Sequence, residues 1–210
     1  MPEGSRGGRE RQGAFKIGRE VRDGGLIVLE GVYPPSEDSY LLLGALSRYP
    51  AASVLELCCG TGVVGLSVAR RASRVVEVDI SPVAVRNTVA NYRSHGLAGK
   101  LDAVVGDLFS SLREEGFDLV IMNPPYIEDG GTAGDVAWSG GKGGREIIDR
   151  FLGSVGGFLA DGGRGVFVQS DLNGLKETKV RAKENGLVAE VVGERIFRFE
   201  TLLAVEVRRS

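Results

Sequence analysis

The sequence predicts an α/β fold built on a doubly wound, mostly parallel sheet of seven strands with an antiparallel last strand. Short apolar strands alternate with helical segments, and glycine-containing turns follow several of the strands. The last two strands follow one another without a helix, and strands joined without a crossover pair antiparallel. The 210 residues suffice for one domain with a full hydrophobic core.

Two segments precede the core of this domain. Residues 1–14 are polar and rich in glycine and arginine, which predicts a flexible tail. Residues 15–33 alternate weakly around an Asp-Gly-Gly turn, and this pattern indicates a hairpin. Ser36 can then act as an N-cap, and two acids follow in the first turn, so we expect a helix to begin there. Residues 15–210 are expected to form a single domain.

Beyond that helix, strands and helices alternate. Apolar segments predict the strands, whereas helical spacing and capping residues predict the helices between them. Ser81-Pro82 is a strong helix start, because an N-cap is followed by proline at the first helical position. The predicted strands are Ser53–Leu57, Arg74–Asp79, Asp102–Val105, Leu119–Met122, Gly165–Gln169, Leu187–Gly193 and Thr201–Val207; the predicted helices are Val63–Arg71, Pro82–Arg93, Gly144–Leu159 and Leu175–Asn185.

Composition and charge argue against several classes of protein. The net charge of −2 offers no general surface for polyanions. No apolar run reaches the roughly 18 residues that span a bilayer, and the N-terminus lacks the apolar region of a secretory signal, so no membrane partner is expected. Cys58 and Cys59 are adjacent, and two sulfurs are too few for structural zinc, so we expect no metal site. A reducing, cytoplasmic location is expected.

Polar residues and glycines stand where the strands end, at the edge where such sheets bind ligands. Gly60 and Gly62 let the backbone approach a ligand closely at the start of a helix. Glu56 lies near the end of an apolar strand, where a carboxylate needs a cation or hydrogen-bond donors. Asp79 follows Gly62 by 17 residues and is placed to bind two ribose hydroxyls. Asp107 could accept a hydrogen bond from an adenine amino group.

The same glycines leave a second cofactor open. Residues 60–65 match the dinucleotide fingerprint G-x-G-x-x-G, and Asp79 would serve the ribose of NAD equally well. A lone match of this kind is a weak signal, and no later residue suggests hydride chemistry.

The motif Asn123-Pro124-Pro125-Tyr126 follows the fourth predicted strand. A given tetrapeptide occurs by chance in roughly one chain per thousand of this length. Each proline restricts its own backbone and that of the residue before it, so the segment is stiff and its carbonyl groups point in set directions. The side-chain oxygen of Asn123 and the backbone oxygen of Pro124 could then accept two hydrogen bonds from one NH2 group.

This arrangement suits methyl transfer to a planar nitrogen. An amide or aryl amine is a poor nucleophile, and it gains positive charge as it attacks a sulfonium methyl. Fixed carbonyl dipoles stabilise that charge, and in-line orientation supplies much of the remaining acceleration. Tyr126 offers a face on which the flat target can stack. Asn123, Pro124 and Tyr126 are therefore the predicted catalytic residues, and with Pro125 they form the predicted substrate site.

These residues resemble those of class I, Rossmann-like methyltransferases of the HemK/PrmC type, which are release-factor glutamine N5-methyltransferases. Two tracts, Val32–Ser39 and Ala137–Phe151, resemble the short archaeal and eukaryotic branch of this family, which lacks an N-terminal helical domain. The resemblance covers roughly residues 32 to 208. It implies that S-adenosyl-L-methionine is the cofactor.

The resemblance also implies individual roles. It places Ser39, Glu56, Asp79, Asp107 and Leu108 at the cofactor, where Cys58, Gly60 and Gly62 of the glycine-containing turn complete the predicted site. Asn123 would hold the substrate amide. The family usually has glycine where Cys58 stands, and we expect an ordinary backbone there, with a thiol that is packed rather than reactive. The tract Ala137–Arg150 would form a flap over the substrate.

The implied substrate is a class 1 peptide chain release factor, methylated on the glutamine of its Gly-Gly-Gln loop during translation termination. An adenine N6 or guanine N2 of RNA or DNA is an alternative, since the same motif serves both planar targets. The absence of a strongly basic run argues against nucleic acid as the direct substrate. A lysine amine must first lose its proton and has no plane to stack, and a non-catalytic scaffold would not need Asn123 and Asp79.

The resemblance implies one further partner. Members of the short branch pair with a small zinc-binding activator subunit through exposed apolar strand surface, so we expect a heterodimer.

Overall fold

The computed structural model describes residues 25–126 and 144–210. The predicted tail, the first part of the predicted hairpin and residues 137–143 of the predicted flap lie outside these ranges. The described residues contain a seven-stranded sheet with the order β3-β2-β1-β4-β5-β7-β6. Its strands are β1 Ser53–Leu57, β2 Arg74–Asp79, β3 Leu101–Val105, β4 Phe117–Met122, β5 Leu159–Ser170, β6 Leu187–Ile196 and β7 Thr201–Arg209.

The strand pairings confirm the predicted fold class. Strand β1 pairs parallel with β2 and β4, and the parallel pairing continues to β3 on one side and β5 on the other. Strand β7 is antiparallel to both β5 and β6. The carboxyl ends of β1 to β5 therefore meet at one edge of the sheet, and the connection from β6 to β7 returns to that same edge.

Five α-helices accompany the sheet in the described ranges, and none of them is long and apolar enough to cross a membrane. Ser36 and Ser81 occupy the predicted N-cap positions, and the Ser81 hydroxyl accepts a hydrogen bond from the Ala84 N–H at 3.4 Å. The helices are α1 Glu37–Ala45, α2 Val63–Ala69, α3 Pro82–Ser94, α4 Glu146–Ser154 and α5 Leu175–Glu184.

The helix predicted for Gly144–Leu159 is too long at both ends. Helix α4 begins at Glu146 and ends at Ser154, and a 3-10 turn follows over Val155–Phe158. Two consecutive glycines in that turn have low helix propensity. Leu159 instead pairs with Phe117 at the start of β5, so strand pairing outweighs the helical periodicity.

Helices cover both faces of the sheet, which explains why the central strands β1 and β4 are buried along almost their whole length. Leu55 and Leu57 point into one core cluster, together with Phe151 of α4. Val54 points to the opposite cluster, which contains Tyr92 of α3. All five side chains are 0% exposed.

The hairpin predicted for residues 15–33 is not found in its described part, because residues 25–33 contain no strand. Asn91 and Asn87 of α3 accept hydrogen bonds from the N–H groups of Ile27 and Leu29 at 2.7 and 2.6 Å. Both asparagine side chains donate back to the Ile27 carbonyl. These buried amides occupy backbone groups that a partner strand would have paired, so the segment lies along α3.

Candidate active site

A cavity of about 430 Å³ opens at the edge where the parallel strands end. Its size lies within the range of small-molecule sites. The segment from Gly31 to Ser39 contributes to its wall, and Gly62 lies behind it, where an added Cβ would contact Thr88 at 2.6 Å. The predicted site residues that line the cavity are Ser39, Glu56, Cys58, Gly60, Asp79, Asp107, Leu108, Asn123, Pro124, Pro125 and Tyr126.

The turn between β1 and α2 has an unusual backbone. Cys58, Gly60 and Gly62 have φ angles of 56°, 54° and 71°, so alternate residues are left-handed. The expectation of an ordinary backbone at Cys58 is therefore wrong. The chain must turn directly from β1 into α2, and the left-handed residues that accomplish this begin at position 58. A non-glycine residue there costs about 1–3 kcal/mol.

The two cysteine thiols are protonated near neutral pH. Burial raises the pKa of the Cys58 thiol, and the negative charges of Asp79 and Glu56 raise it further. Burial likewise raises the pKa of the Cys59 thiol, whose sulfur accepts a hydrogen bond from the Thr88 hydroxyl at 3.3 Å. Because the thiolate is the reactive form, both side chains serve packing rather than chemistry.

Asp79 connects the end of β2 to the turn at the cavity. One carboxylate oxygen accepts the Gly60 N–H at 2.9 Å, and the other accepts the Ser81 N–H at 2.8 Å. Burial raises the pKa of Asp79, and these two hydrogen bonds oppose that effect. Each carboxylate oxygen can accept about two hydrogen bonds, so both retain capacity for a ligand hydroxyl.

Glu56 stands opposite Glu77 on neighbouring strands, and both side chains are buried. Glu56 accepts the Gly65 N–H at 2.6 Å, and Glu77 accepts the Tyr92 hydroxyl at 2.6 Å. Burial raises the pKa of Glu56 to about 7 and that of Glu77 well above its usual range. Two buried carboxyl groups this close cannot both ionise easily, so the pair retains a proton near neutral pH.

Sequence reasoning did not assign Glu77 to the site. Its signal was an acid in an apolar strand, two residues before Asp79, and this signal gains meaning only when β1 and β2 are aligned. A Cβ added at Gly65 would contact both glutamate side chains. This glycine therefore allows α2 to lie against the carboxyl pair.

Asp107 and Leu108 follow β3 at the cavity. Asp107 forms an ion pair with Arg150 of α4, with 2.7 Å between Oδ2 and Nη2. Arg150 also lines the cavity, although the sequence assigned it no separate role. Leu108 is buried and has a φ angle of 48°, so its backbone is left-handed, as at Cys58.

Asn123 lies at the end of β4, facing the start of α1. Its Nδ2 group is 3.5 Å from the Ser39 hydroxyl, which orients the side-chain amide. Its Oδ1 atom is buried and has no hydrogen-bond partner among residues 25–126 and 144–210. A buried acceptor without a partner costs about 1–3 kcal/mol. A ligand N–H group would satisfy it.

Asp38 connects α1 to two aromatic side chains at the cavity. Its Oδ2 atom accepts hydrogen bonds from the hydroxyls of Tyr33 at 3.0 Å and Tyr126 at 3.3 Å, while Oδ1 accepts the Ser39 N–H at 2.5 Å. Burial and the charge of Asp38 raise the pKa of Tyr33 to about 12 and also raise that of Tyr126. Both phenols remain protonated donors. Sequence reasoning treated Asp38 as an acid at a helix start, within the tract Val32–Ser39 that carried the family resemblance, and gave it no role in the site.

Asn173, just beyond β5, holds Tyr126 by its backbone, whereas Asp38 holds its hydroxyl. Its side-chain amide donates a hydrogen bond to the Tyr126 carbonyl at 2.9 Å and accepts the Ser170 N–H at 2.8 Å. Arg145 donates to the Gly174 carbonyl at 3.0 Å, so the start of α4 is held beside the start of α5. Asn173 had no sequence signal that distinguished it from an ordinary loop residue. Arg145 lay within the tract Ala137–Phe151 that carried the family resemblance, but it was given no role of its own.

Acids after successive parallel strands and a stiff asparagine corner on one cavity define a class I methyltransferase, since they can hold a methyl donor beside an acceptor nitrogen. Comparison with known families agrees with that class. The chain belongs to the methyltransferase small domain family, whose model matches residues 36–186. This membership favours methyl transfer over the NAD-dependent alternative that residues 60–65 left open.

Relatives within that class confirm the HemK-type resemblance. A Methanocaldococcus jannaschii protein named as a protein N5-glutamine methyltransferase is 35% identical over 184 residues, which cover 85% of this chain and 92% of that protein. Human methyltransferase HEMK2 is 32% identical over 195 residues, covering 85% and 90%. A chain of the E. cuniculi Mtq2-Trm112 complex, responsible for methylation of the eRF1 translation termination factor, superposes with a TM-score of 0.67 at 30% identity, covering 86% of this chain and 99% of that one.

Proposed function

We propose that this chain transfers a methyl group from S-adenosylmethionine to the side-chain amide of a glutamine, in the Gly-Gly-Gln loop of a class 1 release factor. The observation that carries the proposal is the buried Oδ1 atom of Asn123, an acceptor without a partner in the described part of the chain, in a residue that lines the cavity. The substrate is supported by the relatives named as glutamine methyltransferases and by the eRF1 methylation of the Mtq2-Trm112 complex.

The cavity fits the proposed cofactor. When bound, S-adenosylmethionine supplies an electrophilic methyl group on a sulfonium sulfur. Asp79 would accept the ribose hydroxyls with the capacity left by its two backbone hydrogen bonds. Asp107 would bind the adenine amino group beside its ion pair with Arg150, and Glu56 would contribute a further carboxyl group to the cofactor site. Ser39, Leu108 and the turn from Cys58 to Gly62 would complete the site.

We name the motif Asn123-Pro124-Pro125-Tyr126 the acceptor corner. It would act by orienting the acceptor nitrogen and by stabilising charge. Asn123 Oδ1 and the Pro124 carbonyl would each accept one N–H of the glutamine amide, leaving the nitrogen directed at the methyl group. Both oxygens are held before the substrate arrives, so they stabilise the positive charge that develops on nitrogen without reorganising. Asp38 fixes the Tyr126 hydroxyl, which positions the ring for stacking on the amide plane. Once alkylated, the nitrogen is acidic and releases one N–H proton to solvent, so a base is not needed early.

A labelling experiment tests this proposal. The chain, with the proposed activator subunit present, is incubated with methyl-labelled S-adenosylmethionine in four separate reactions. Each reaction contains one acceptor: a release factor, its Gln→Ala loop variant, RNA or DNA. We expect label on the release factor and none on the loop variant. Label on RNA, on DNA or on lysine would contradict the proposed substrate.

We further propose that a small zinc-binding activator subunit forms a heterodimer with this chain. The Trm112 partner of the structurally similar Mtq2 supports a small subunit. In this chain, β3 is an edge strand of the described sheet, and its Val105 side chain is half exposed. An isolated chain that is soluble and fully active would contradict this proposal. The cytoplasmic location predicted from the cysteines suits the function and stays a prediction.

A further inference from the structure

The connection between β6 and β7, together with the turn that follows β5, presents large apolar side chains to solvent. Phe199 is 82% exposed, and Ile196 and Leu172 are each 74% exposed. Phe197 is also exposed. We name these four residues the tip patch. Single exposed apolar residues are common, but a cluster of this kind marks an interaction surface.

The tip patch stands on a rigid support. Ile196 pairs with Thr201 at the end of the β6–β7 ladder, and the Phe197 N–H donates to the Glu200 carbonyl at 2.8 Å to close the turn. The Thr201 N–H donates to Asp171 at 2.9 Å, which ties the turn to the segment that carries Leu172. A surface held in this way loses little conformational entropy on binding.

The patch adjoins the acceptor corner on two sides. Leu172 precedes Asn173, whose side chain binds the Tyr126 carbonyl at 2.9 Å. On the other side, Arg195 of β6 pairs with Glu37 at 2.7 Å, and the next residue after Glu37 is Asp38, which binds the Tyr126 hydroxyl. A folded protein whose reactive group enters at Tyr126 could therefore also contact the tip patch.

The chemistry of the patch favours a protein over a nucleic acid. Residues 194–200 contain two arginines and two glutamates, so their charges balance. Arg195 is paired with Glu37, and Arg198 lies over the Phe199 ring at 5.1 Å. Nucleic-acid surfaces need cations that neutralise phosphates, whereas protein interfaces have aromatic and aliphatic anchors at their centre.

We propose that the tip patch is a docking surface for the folded protein that carries the acceptor glutamine. The inference rests on the proposed function and extends it. Phe199 and Ile196 would insert into an apolar depression next to the acceptor loop, and this contact would hold the loop over the cavity. The acceptor is therefore recognised through its folded surface as well as through its glutamine.

The test substitutes two residues of the tip patch and measures binding of the acceptor protein separately from the rate of methyl transfer. The Phe199→Ser/Ile196→Ser double variant and the wild type are compared for methylation of a folded release factor, each with the proposed activator subunit present. We expect KM for the folded acceptor to rise about tenfold or more, with kcat and the Kd for S-adenosylmethionine unchanged. Val180→Ser on α5, which also removes an exposed apolar side chain, serves as the matched control and should leave KM unchanged.

The outcomes distinguish the two proposals. If the wild type methylates the release factor and the double variant has the same KM, the docking proposal is overturned and the proposed function stands. If the wild type transfers no methyl group to any release factor, the proposed function fails first. Patch-dependent methylation of RNA would identify a nucleic-acid surface and overturn the docking proposal. The melting temperature of the double variant is measured separately, to show whether the substitutions affect folding. The conservative variant Phe199→Leu keeps an apolar side chain, so its KM for the folded acceptor should rise less than that of the double variant.

Discussion

At the scale of single residues, the site depends on groups whose hydrogen bonding is left incomplete. Asn123 is the clearest example, because its amide is oriented through Nδ2 while its buried Oδ1 has no partner in the described residues. The neighbouring Asp38 and Asn173 side chains hold Tyr126 by its hydroxyl and its carbonyl. The surrounding structure therefore holds one acceptor ready for a ligand.

Asn123→Ala should reduce kcat by about 100-fold or more and leave the Kd for S-adenosylmethionine nearly unchanged, because the lost oxygen acts on the acceptor nitrogen. Asp79→Ala is the matched contrast, and it should chiefly weaken cofactor binding. Calorimetry and steady-state kinetics measure the two effects. Normal kcat at saturating cofactor in Asn123→Ala would contradict the assigned role.

The left-handed backbone at Cys58 leads to a second prediction at this scale. Cys58→Gly removes the strain but adds entropy to the unfolded chain, so the free energy of unfolding should change by less than about 1 kcal/mol. Cys58→Val places a branched side chain in the left-handed region and should lower that free energy by roughly 1–3 kcal/mol. Urea unfolding of both variants and of the wild type measures these free energies. Equal free energies of unfolding for Cys58→Val and Cys58→Gly would argue against the left-handed conformation.

At the scale of elements, the register of β1 against β2 determines which buried carboxyl groups face each other. It places Glu56 opposite Glu77, with Gly65 of α2 allowing the helix to approach both. A shift of one residue would turn these side chains to opposite faces. The carboxyl pair is therefore a property of two aligned strands and not of either strand alone.

This pair predicts how stability depends on pH. Burial raises the pKa of Glu56 from 4.5 to about 7 and raises that of Glu77 well above its usual range, so the folded chain keeps protons that the unfolded chain releases. Their contribution to stability is complete below about pH 4.5 and is lost as pH rises through about 7 and beyond. The loss is at most about 1.4 kcal/mol per pH unit for one proton.

Glu77→Gln tests this dependence, because it keeps a hydrogen-bonding side chain but removes one titrating group. The fall in the free energy of unfolding between about pH 5 and about pH 8 should be smaller than in the wild type. Urea denaturation at several pH values gives both slopes. The same slope in both proteins would show that the pair does not share a proton.

At the scale of the whole molecule, cofactor binding should stabilise the entire domain. The cavity is lined by residues of β1 and β2, by the segments that follow β1 to β4, and by residues of α1 and α4, so a ligand there connects parts of the domain that are distant in sequence. A cofactor at 100 times its Kd stabilises a folded domain by about 2.7 kcal/mol. For a domain of this size, that corresponds to a rise in melting temperature of about 5–10 °C.

Thermal unfolding with and without S-adenosylmethionine measures this rise. S-adenosylhomocysteine, which lacks the methyl group, should produce a shift of similar size. Asp79→Ala should reduce the shift strongly, whereas Asn123→Ala should preserve it. An unchanged melting temperature of the wild type at saturating cofactor would contradict the assigned cavity.

Much of this molecule was predictable from the sequence because the signals were local. Apolar runs identified the seven strands, and Ser36 and Ser81 identified two helix starts. The errors came where a distant group intervened. Asn87 and Asn91 occupy the backbone that a hairpin would have used, and Phe117 pairs with Leu159 at the end of a segment with helical periodicity.

The sequence by itself determined the order of elements and the motif Asn123-Pro124-Pro125-Tyr126, since backbone restriction and periodicity act between near neighbours. Tertiary structure alone decided which distant groups meet. It brought Asp38 to Tyr126 across 88 residues and placed the tip patch beside the acceptor corner. These contacts depend on the lateral order of the strands, which local sequence patterns do not encode.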